Sequence, residues 1–327
     1  MYQYVLKRLA WAAVTIVLIS IVAFIIIQLP PGDFMTSYVA RLRETGETFD
    51  EQTIEVLRDR YGLDQPLIIQ YWKWISKIPK GDFGRSFATM EPVSDLIWGR
   101  MQLTLMLSIT TLIFTWIIAL PIGIFSAVRQ YSLLDYLGTF IGFIGLAIPN
   151  FMLAIIMMYF AFTRWGIAIT GLFSLEFVNA PWSFAKVLDL AKHVWVPIIV
   201  VGTSGTAALI RIMRANLLDE LRKPYVTTSH AKGLGEWQAI IKYPVRVALN
   251  PFVSTIGWTL PHLISGEVIA AVVLNLPTTG PLLLQSLQNQ DMYLAGSFVL
   301  LLSILTVLGT LVSDIMLALL DPRIRLQ

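Results

Sequence analysis

The sequence predicts an all-α integral membrane protein with six transmembrane helices. Of its 327 residues, 56% are hydrophobic and only 14% are charged, and the mean hydropathy is +0.69. A soluble domain carries about 25% charged residues. Six apolar stretches reach or approach the roughly 20 residues that a helix needs to cross a hydrocarbon core about 30 Å thick. A soluble globular enzyme is therefore excluded by composition.

Composition also excludes several kinds of site. The chain has no cysteine, so disulfides, thiolate metal sites and cysteine nucleophiles are absent. Its three histidines, His193, His230 and His262, are far apart and do not have a metal-ligand spacing. No Ser/His, paired Asp or metal constellation stands at the depth of a span. We expect no catalytic residue and no metal site, and the net charge of +3 is too small to indicate nucleic acid as a partner.

The first and fourth apolar stretches need individual interpretation. The first is longer than a signal-peptide core and continues into Gln28 and two prolines without a small-residue cleavage site, so we expect it to be retained. The fourth contains VVGTSGTAAL, whose small residues favour tight packing inside a helix bundle. Pro149 and Pro261 are expected to kink their helices. The predicted spans are residues 9–29, 102–127, 136–163, 195–210, 251–275 and 293–319.

The distribution of Lys and Arg predicts the orientation. With the N-terminus inside, the four inner segments hold 12 basic residues, and the short outer loops 164–194 and 276–292 hold three. Both termini are therefore predicted to be cytoplasmic. Residues 93–101 resemble a short amphipathic helix at the membrane interface. The predicted organisation is an N-terminus and first span over 1–29, an external segment over 30–101, and a core over 102–327 with a cytoplasmic loop over 211–250.

The loop 211–250 has the most informative pattern in the chain. Leu217, Leu218 and Leu221 suit a helix that extends the fourth span into the cytoplasm, and Pro224 should end it. Two short helical runs follow, separated by a break around Gly233. Such an elbow can insert into a groove on a partner. The loop also carries seven basic and three acidic residues, so an interfacial loop held by anionic lipid remains an alternative on these grounds.

Residues 225–237 read YVTTSHAKGLGEW. This stretch resembles the coupling loop of binding-protein-dependent ABC importer permeases, whose signature is Glu-Ala-Ala, three residues and Gly. The oligopeptide/dipeptide branch writes it Y-V-R-T-A-R-A-K-G-L-S-E-W. Departures stand at Thr227 and Ser229, and Pro244 begins the triplet that replaces the Leu-Pro end of the general signature. Five stretches resemble this branch in the expected order from end to end, the other four being 31–33, 61–66 followed by 80–87, 146–151 and 320–325.

The resemblance implies a type I ABC importer permease fold and a division of labour. A second homologous permease would share the translocation path, and two ATPase subunits, which bind ATP and Mg, would dock on the coupling loops. An extracytoplasmic solute-binding protein would deliver the substrate. This chain has no G-x-x-x-x-G-K-[ST] loop and is expected to bind no cofactor and to be no enzyme itself. The implied location is the inner (cytoplasmic) membrane, in contact with lipid. The implied ATPase-coupling residues are Thr227, Thr228, Ser229, His230, Ala231, Lys232, Gly233 and Leu234.

The substrate stays open between an oligopeptide and an oligosaccharide. Thr278 and Thr279 stand where the branch usually has a Trp-Pro-Gly-Leu-Gly turn, and a hydroxyl-rich lining would suit sugars. The candidates for lining the pathway are Glu267, His262 and Asn150, because ionisable groups inside spans usually face the bundle interior or a water-filled cavity. The alternative to pathway lining for Glu267 is an interaction with a structural partner. The alternative for His262 is a hydrogen-bonded packing role.

An ATP-independent channel or secondary transporter is the competing functional interpretation. Secondary transporters typically carry inverted repeats and discontinuous helices at matching places in two halves. No such repeat is visible in this sequence. An ATP-driven importer is therefore the favoured interpretation.

The orientation can be tested with single cysteines in this cysteine-free chain. Glu47→Cys and Glu236→Cys should react with a membrane-impermeant thiol reagent from opposite sides of the membrane, the first from outside. Labelling of both positions from the same side would show that the predicted topology is wrong.

Overall fold

The computed structural model describes residues 2–28, 64–166, 169–178, 180–256 and 268–320. Regular structure within these ranges is helical, and one isolated antiparallel bridge joins Arg85 and Pro92. The predicted all-α class is confirmed. The helices are α1 (Tyr2–Gln28), α2 (Leu67–Ile75), a 3-10 turn (Ile78–Lys80), α3 (Val93–Val128), α4 (Leu133–Ala147), α5 (Asn150–Trp165), α6 (Phe184–Leu221), α7 (Pro224–Ala231), α8 (Glu236–Lys242), α9 (Pro244–Ser254), α10 (Val268–Val273), α11 (Thr279–Gln288) and α12 (Met292–Leu320).

Several of these helices are long and apolar enough to cross a membrane. Within the described ranges they are α1, α3, α6 and α12, with α4 and α5 together making a fifth if that bent pair is one span. The predicted fifth span, 251–275, includes residues 257–267, which lie outside the described residues. The exact number of six spans remains a prediction.

The third predicted span, 136–163, is two helices and not one. Helices α4 and α5 are bent by 101° at the break between them. Pro149 has no N–H to donate, and it restricts Ile148 before it to an extended backbone with φ −87° and ψ 119°. The kink predicted at Pro149 is therefore confirmed, but it is a full break.

The separate interfacial helix predicted over 93–101 is wrong. These residues form the first turns of α3, which runs without interruption for 36 residues. The amphipathic pattern has another cause, since Val93, Ile97 and Met101 lie on one face of α3 and are buried. The predicted boundary at 101/102 falls inside this helix.

Helix α6 is longer than the predicted span 195–210 and packs against α4, α5 and α9. Its small residues allow close approach, as predicted. A Cβ built on Gly145 of α4 would lie 2.7 Å from Cγ2 of Thr203, and one built on Gly202 would lie 3.1 Å from the ring of Phe114. Of the candidate spans in the described ranges, α6 is the most buried.

The chain divides into two compact units. The larger comprises Thr104–Pro277 and Thr306–Gln327, and it contains the whole of α6 and the loop that follows. The smaller comprises Tyr2–Leu103 and Thr278–Leu305. Within the smaller unit, the buried carboxylate of Asp291 accepts hydrogen bonds from Ser86 Oγ at 2.5 Å and from the Leu294 N–H at 3.2 Å. That carboxylate fixes residues 86–88 to the start of α12.

Candidate functional site

The candidate site is the elbow, defined here as α7, the turn after it and α8 (residues 224–242). Helix α6 ends at Leu221, and α7 begins at Pro224. Proline suits the first position of a helix because its missing N–H would have no partner there. The predicted helical extension, its end near Pro224 and the two short helices on either side of a glycine break are all confirmed.

The turn of the elbow is a Schellman motif centred on Gly233. The Gly233 N–H donates to the carbonyl of His230 at 2.9 Å, and the Leu234 N–H donates to the carbonyl of Ser229 at 3.3 Å. Gly233 has φ +82°, a backbone conformation that side-chain-bearing residues rarely adopt. The site requires a glycine, and a side chain there would otherwise meet open space.

The two faces of α7 differ in burial. Val226 and Ser229 point inward and are 5% and 4% exposed. The Ser229 hydroxyl donates to the Val226 carbonyl at 2.6 Å, so a serine is accommodated where the resembled family has alanine. The other side of α7 and the turn after it are exposed, and they hold Thr227, Thr228, His230, Ala231, Lys232 and Gly233. Six of the eight predicted coupling residues thus form one accessible surface, on which two threonines, an alanine and a glycine stand beside His230 and Lys232.

Helix α8 fixes the elbow to the core of the larger unit. Ile240 is 3% exposed and belongs to a hydrophobic cluster with Met213 and Leu217 of α6 and Phe252 of α9. Burying an isoleucine of this kind contributes roughly 1.5–3 kcal/mol. The elbow is therefore held by packing against the inner part of α6 as well as by the chain connection.

An ion pair joins the inner part of α6 to α4. Arg214 donates from Nε and Nη2 to the two carboxylate oxygens of Asp135, at 2.9 Å each. Asp135 is 3% exposed and also accepts the Tyr131 N–H at 3.0 Å. Ser132 caps α4 by accepting the Asp135 N–H. The carboxylate thus ties the turn before α4 to the helix that carries the elbow.

Aromatic and aliphatic side chains flank the exposed face of α7. Tyr225, Trp237 and Ile241 are 36%, 44% and 60% exposed. The Tyr225 hydroxyl donates to Glu220 at 2.5 Å, and burial followed by this hydrogen bond raises the pKa of Tyr225 above its usual range. The phenol therefore stays neutral and keeps the start of α7 linked to the end of α6.

The predicted pathway residues are only partly described. Asn150 begins α5, and its amide nitrogen lies 3.4 Å from Ser204 Oγ on α6. His262 and Glu267 lie outside the described residues. Thr278 and Thr279, which suggested a sugar-compatible lining, are 4% and 2% exposed. A pathway role for these residues remains a prediction. In the part of the chain that the structure describes, no group of three His, Cys, Asp or Glu residues is placed to hold a metal ion.

Two contacts that fix the elbow were not predicted from the sequence. The Asp135–Arg214 pair joins residues 79 positions apart, and periodicity does not indicate such a pair. One signal was present, since a serine followed three residues later by an aspartate marks the start of a helix. Ile240 is one of several apolar residues in α8, and the sequence does not indicate which of them is buried.

Residues 119–326 match the family described as "Binding-protein-dependent transport system inner membrane component", and residues 1–108 match the N-terminal family of the same systems' membrane components. The chain belongs to this family. It is thus a permease of the ABC importer class, as its sequence predicted, and an inner membrane protein.

Two curated relatives match over nearly the whole chain. The chain is 34% identical over 325 residues to the oligopeptide transport system permease protein AppB of Bacillus subtilis (strain 168). It is 33% identical over 325 residues to the glutathione transport system permease protein GsiC of Escherichia coli (strain K12). Each alignment covers 99% of this permease and 99% of the relative.

The contribution of the ion pair can be measured with a matched pair of variants. Arg214→Met should destabilise the permease by about 3 kcal/mol, because it leaves the buried Asp135 carboxylate without its cation. Arg211→Met, an exposed arginine on the same helix, should change stability by about 0.5 kcal/mol or less. Thermal unfolding of the purified permease in detergent checks both, and equal melting temperatures for the two variants would contradict the role of the pair.

Proposed function

We propose that the elbow of this permease is the surface on which an ATPase subunit docks, and that it transmits ATP-driven closure to the membrane spans. In the proposed assembly, this chain and a second homologous permease line one path. Two ATPase subunits below them bind ATP and Mg, and an extracytoplasmic binding protein delivers the solute. The termini face the cytoplasm, as the charge distribution predicts.

The observation that carries the proposal is the contrast between the two sides of the elbow. One side is exposed and includes Thr228 and Ala231, whose small side chains let a groove on a partner approach the α7 backbone closely. The other side is fixed by Val226 and Ile240, which are buried. A surface that is accessible on one side and rigidly mounted on the other can receive a displacement and pass it on.

The contacts on the buried side of the elbow offer a route by which that displacement can reach the membrane spans. A push on α7 acts on α8, whose Ile240 packs with Leu217 of α6. From α6, the bidentate contact of Arg214 with Asp135 reaches α4. Two spans would therefore respond to one docking event, which is the kind of two-state element that an importer needs.

For the substrate we propose a peptide or a peptide-like solute. Support comes from the names of the relatives, one an oligopeptide permease and the other a glutathione permease. The threonines at 278 and 279 that suggested a sugar are buried, so their hydroxyls offer no accessible surface for one. Glu267, His262 and Asn150 remain our candidates for the path itself.

The coupling proposal predicts a specific failure for Gly233→Trp. The substitution forces a bulky L-residue to φ +82°, which costs about 1 kcal/mol or more, and it fills the surface that would meet the partner. The variant should insert in the membrane and either lose ATPase co-purification or lose substrate-stimulated ATP hydrolysis.

Gly166→Trp is the matched control for backbone strain. Gly166 also follows a helix, has φ +65° and has nothing within 4 Å of its would-be Cβ, but it lies on the predicted outer side. It should keep ATPase binding and stimulated hydrolysis. Normal uptake and normal stimulated hydrolysis by Gly233→Trp would show that the elbow does not couple, leaving the lipid-held loop as its interpretation.

The substrate proposal is tested by uptake in cells. A strain that lacks this permease should lose uptake of labelled short peptides and regain it with the wild-type chain. Labelled oligosaccharides should enter both strains equally. Loss of oligosaccharide uptake with unchanged peptide uptake would contradict the peptide assignment.

A further inference from the structure

Helix α2 of the smaller unit has an exposed apolar face that the coupling function does not use. Gln70 and Trp74 face inward and are buried. Leu67, Ile68 and Trp72 are 53%, 72% and 64% exposed. Side chains of this kind on the solvent-accessible face of a short amphipathic helix are typical of helices that lie at a membrane interface.

The contacts of α2 show the depth at which it lies. The Tyr71 hydroxyl is 2.8 Å from Ser20 Oγ, and the Trp74 ring stacks on Phe24 with centroids 6.0 Å apart. Ser20 stands eight residues before the last residue of α1, a rise of about 12 Å. Trp74 also approaches Ser297, in the second turn of α12, with Nε1 3.4 Å from Oγ. Helix α2 therefore lies beside the terminal turns of two membrane-spanning helices, where headgroups meet acyl chains.

A polar cavity of about 290 Å³ opens next to this helix. It contains three cations and one carboxylate. The carboxylate of Asp82 accepts the Gly84 N–H at 2.9 Å, and Arg85 makes one long contact, 3.4 Å, to the Met90 carbonyl. The ion pairs found within the described residues are elsewhere, at Asp135 and Asp189. The lining residues are Lys73, Trp74, Lys77, Asp82, Gly84, Arg85 and Tyr293.

We propose that this cavity binds the phosphate of an anionic phospholipid headgroup in the outer leaflet, with the acyl chains against the exposed face of α2. Lys73, Lys77 and Arg85 supply the charge complementarity, and guanidinium and ammonium groups are the usual partners of phosphate. Leu67, Ile68 and Trp72 supply the apolar surface for the chains. The proposal requires that the chain spans a membrane in the predicted orientation, and it is independent of ATPase docking and of the transported solute.

A free anion and a lipid share this headgroup chemistry, and the depth of α2 favours the lipid. A soluble phosphate would gain nothing from the apolar face beside the cavity, whereas a phospholipid uses both surfaces at once. An acidic patch on the solute-binding protein is an alternative ligand for these cations, but it could reach them only if they lay outside the bilayer. They line a cavity against Tyr293, the second residue of a membrane-spanning helix.

The test compares lipid retention by native mass spectrometry of the purified full-length chain. The sample receives equal amounts of phosphatidylglycerol and phosphatidylcholine with the same acyl chains. The wild type should retain phosphatidylglycerol in preference, and Lys73→Gln/Lys77→Gln/Arg85→Gln should lower that preference by about fivefold for each cation removed. The control, Lys80→Gln/Arg164→Gln/Lys192→Gln, removes three exposed cations outside the cavity and should retain the wild-type preference.

Two further arms separate the lipid from other ligands and from misfolding. Lys73→Arg/Lys77→Arg keeps the charge and should keep the preference, which separates loss of binding from loss of fold. Free glycerol phosphate at the same concentration should not displace the lipid. Unchanged preference in the triple glutamine variant, or equal displacement by glycerol phosphate, would overturn the proposal. So would weakened association with the solute-binding protein at unchanged lipid retention.

Discussion

The close approach of α6 to its neighbours is the constraint on which the rest of the larger unit depends. Lipid offers no hydrophobic driving force between helices, so a membrane bundle is held by dispersion contacts and hydrogen bonds at short range. The glycines and threonines in the middle of α6 allow neighbouring helices to approach closely. Thr203 lies against Gly145, and Gly202 lies against Phe114. The same helix continues without a break to Leu221, immediately before the elbow.

Because α6 is continuous, a displacement of the elbow can be transmitted to the part of α6 that lies in the membrane. An elbow held only by its chain connections would absorb a push by bending at the connections. Here Ile240 and Val226 are buried on the mounted side, and Arg214 links the helix that carries the elbow to α4. The exposed side of α7 makes no such contact with the residues that the structure describes and is accessible to a partner. Rigidity on one side and access on the other are both consequences of where the apolar residues fall in a 19-residue stretch, 224–242.

The sequence predicted the features that depend on local pattern. Apolar length indicated the spans, and the resemblance of residues 225–237 located the elbow. Gly233 marked the turn, and small residues identified α6 as a tightly packed helix. The features that were not predicted depend on contacts between residues that are far apart in the sequence. The 101° break at Pro149 was predicted only as a kink, because the angle is set by how α4 and α5 pack on α6. Residues 93–101 were predicted to be a separate interfacial helix because they are amphipathic. An amphipathic pattern does not show whether the apolar face contacts lipid or the rest of the protein.

Helix α6 and the elbow are expected to move as one rigid body. The chain has no cysteine, so Arg211→Cys/Gln238→Cys, two exposed positions outside the predicted coupling residues, can be spin-labelled specifically in the assembled transporter. Double electron–electron resonance should give a distance between the two labels that is the same, within about 2 Å, in the nucleotide-free and ATP-bound states. A change of about 5 Å, one helical turn, would show that the elbow hinges against α6 and would contradict the account.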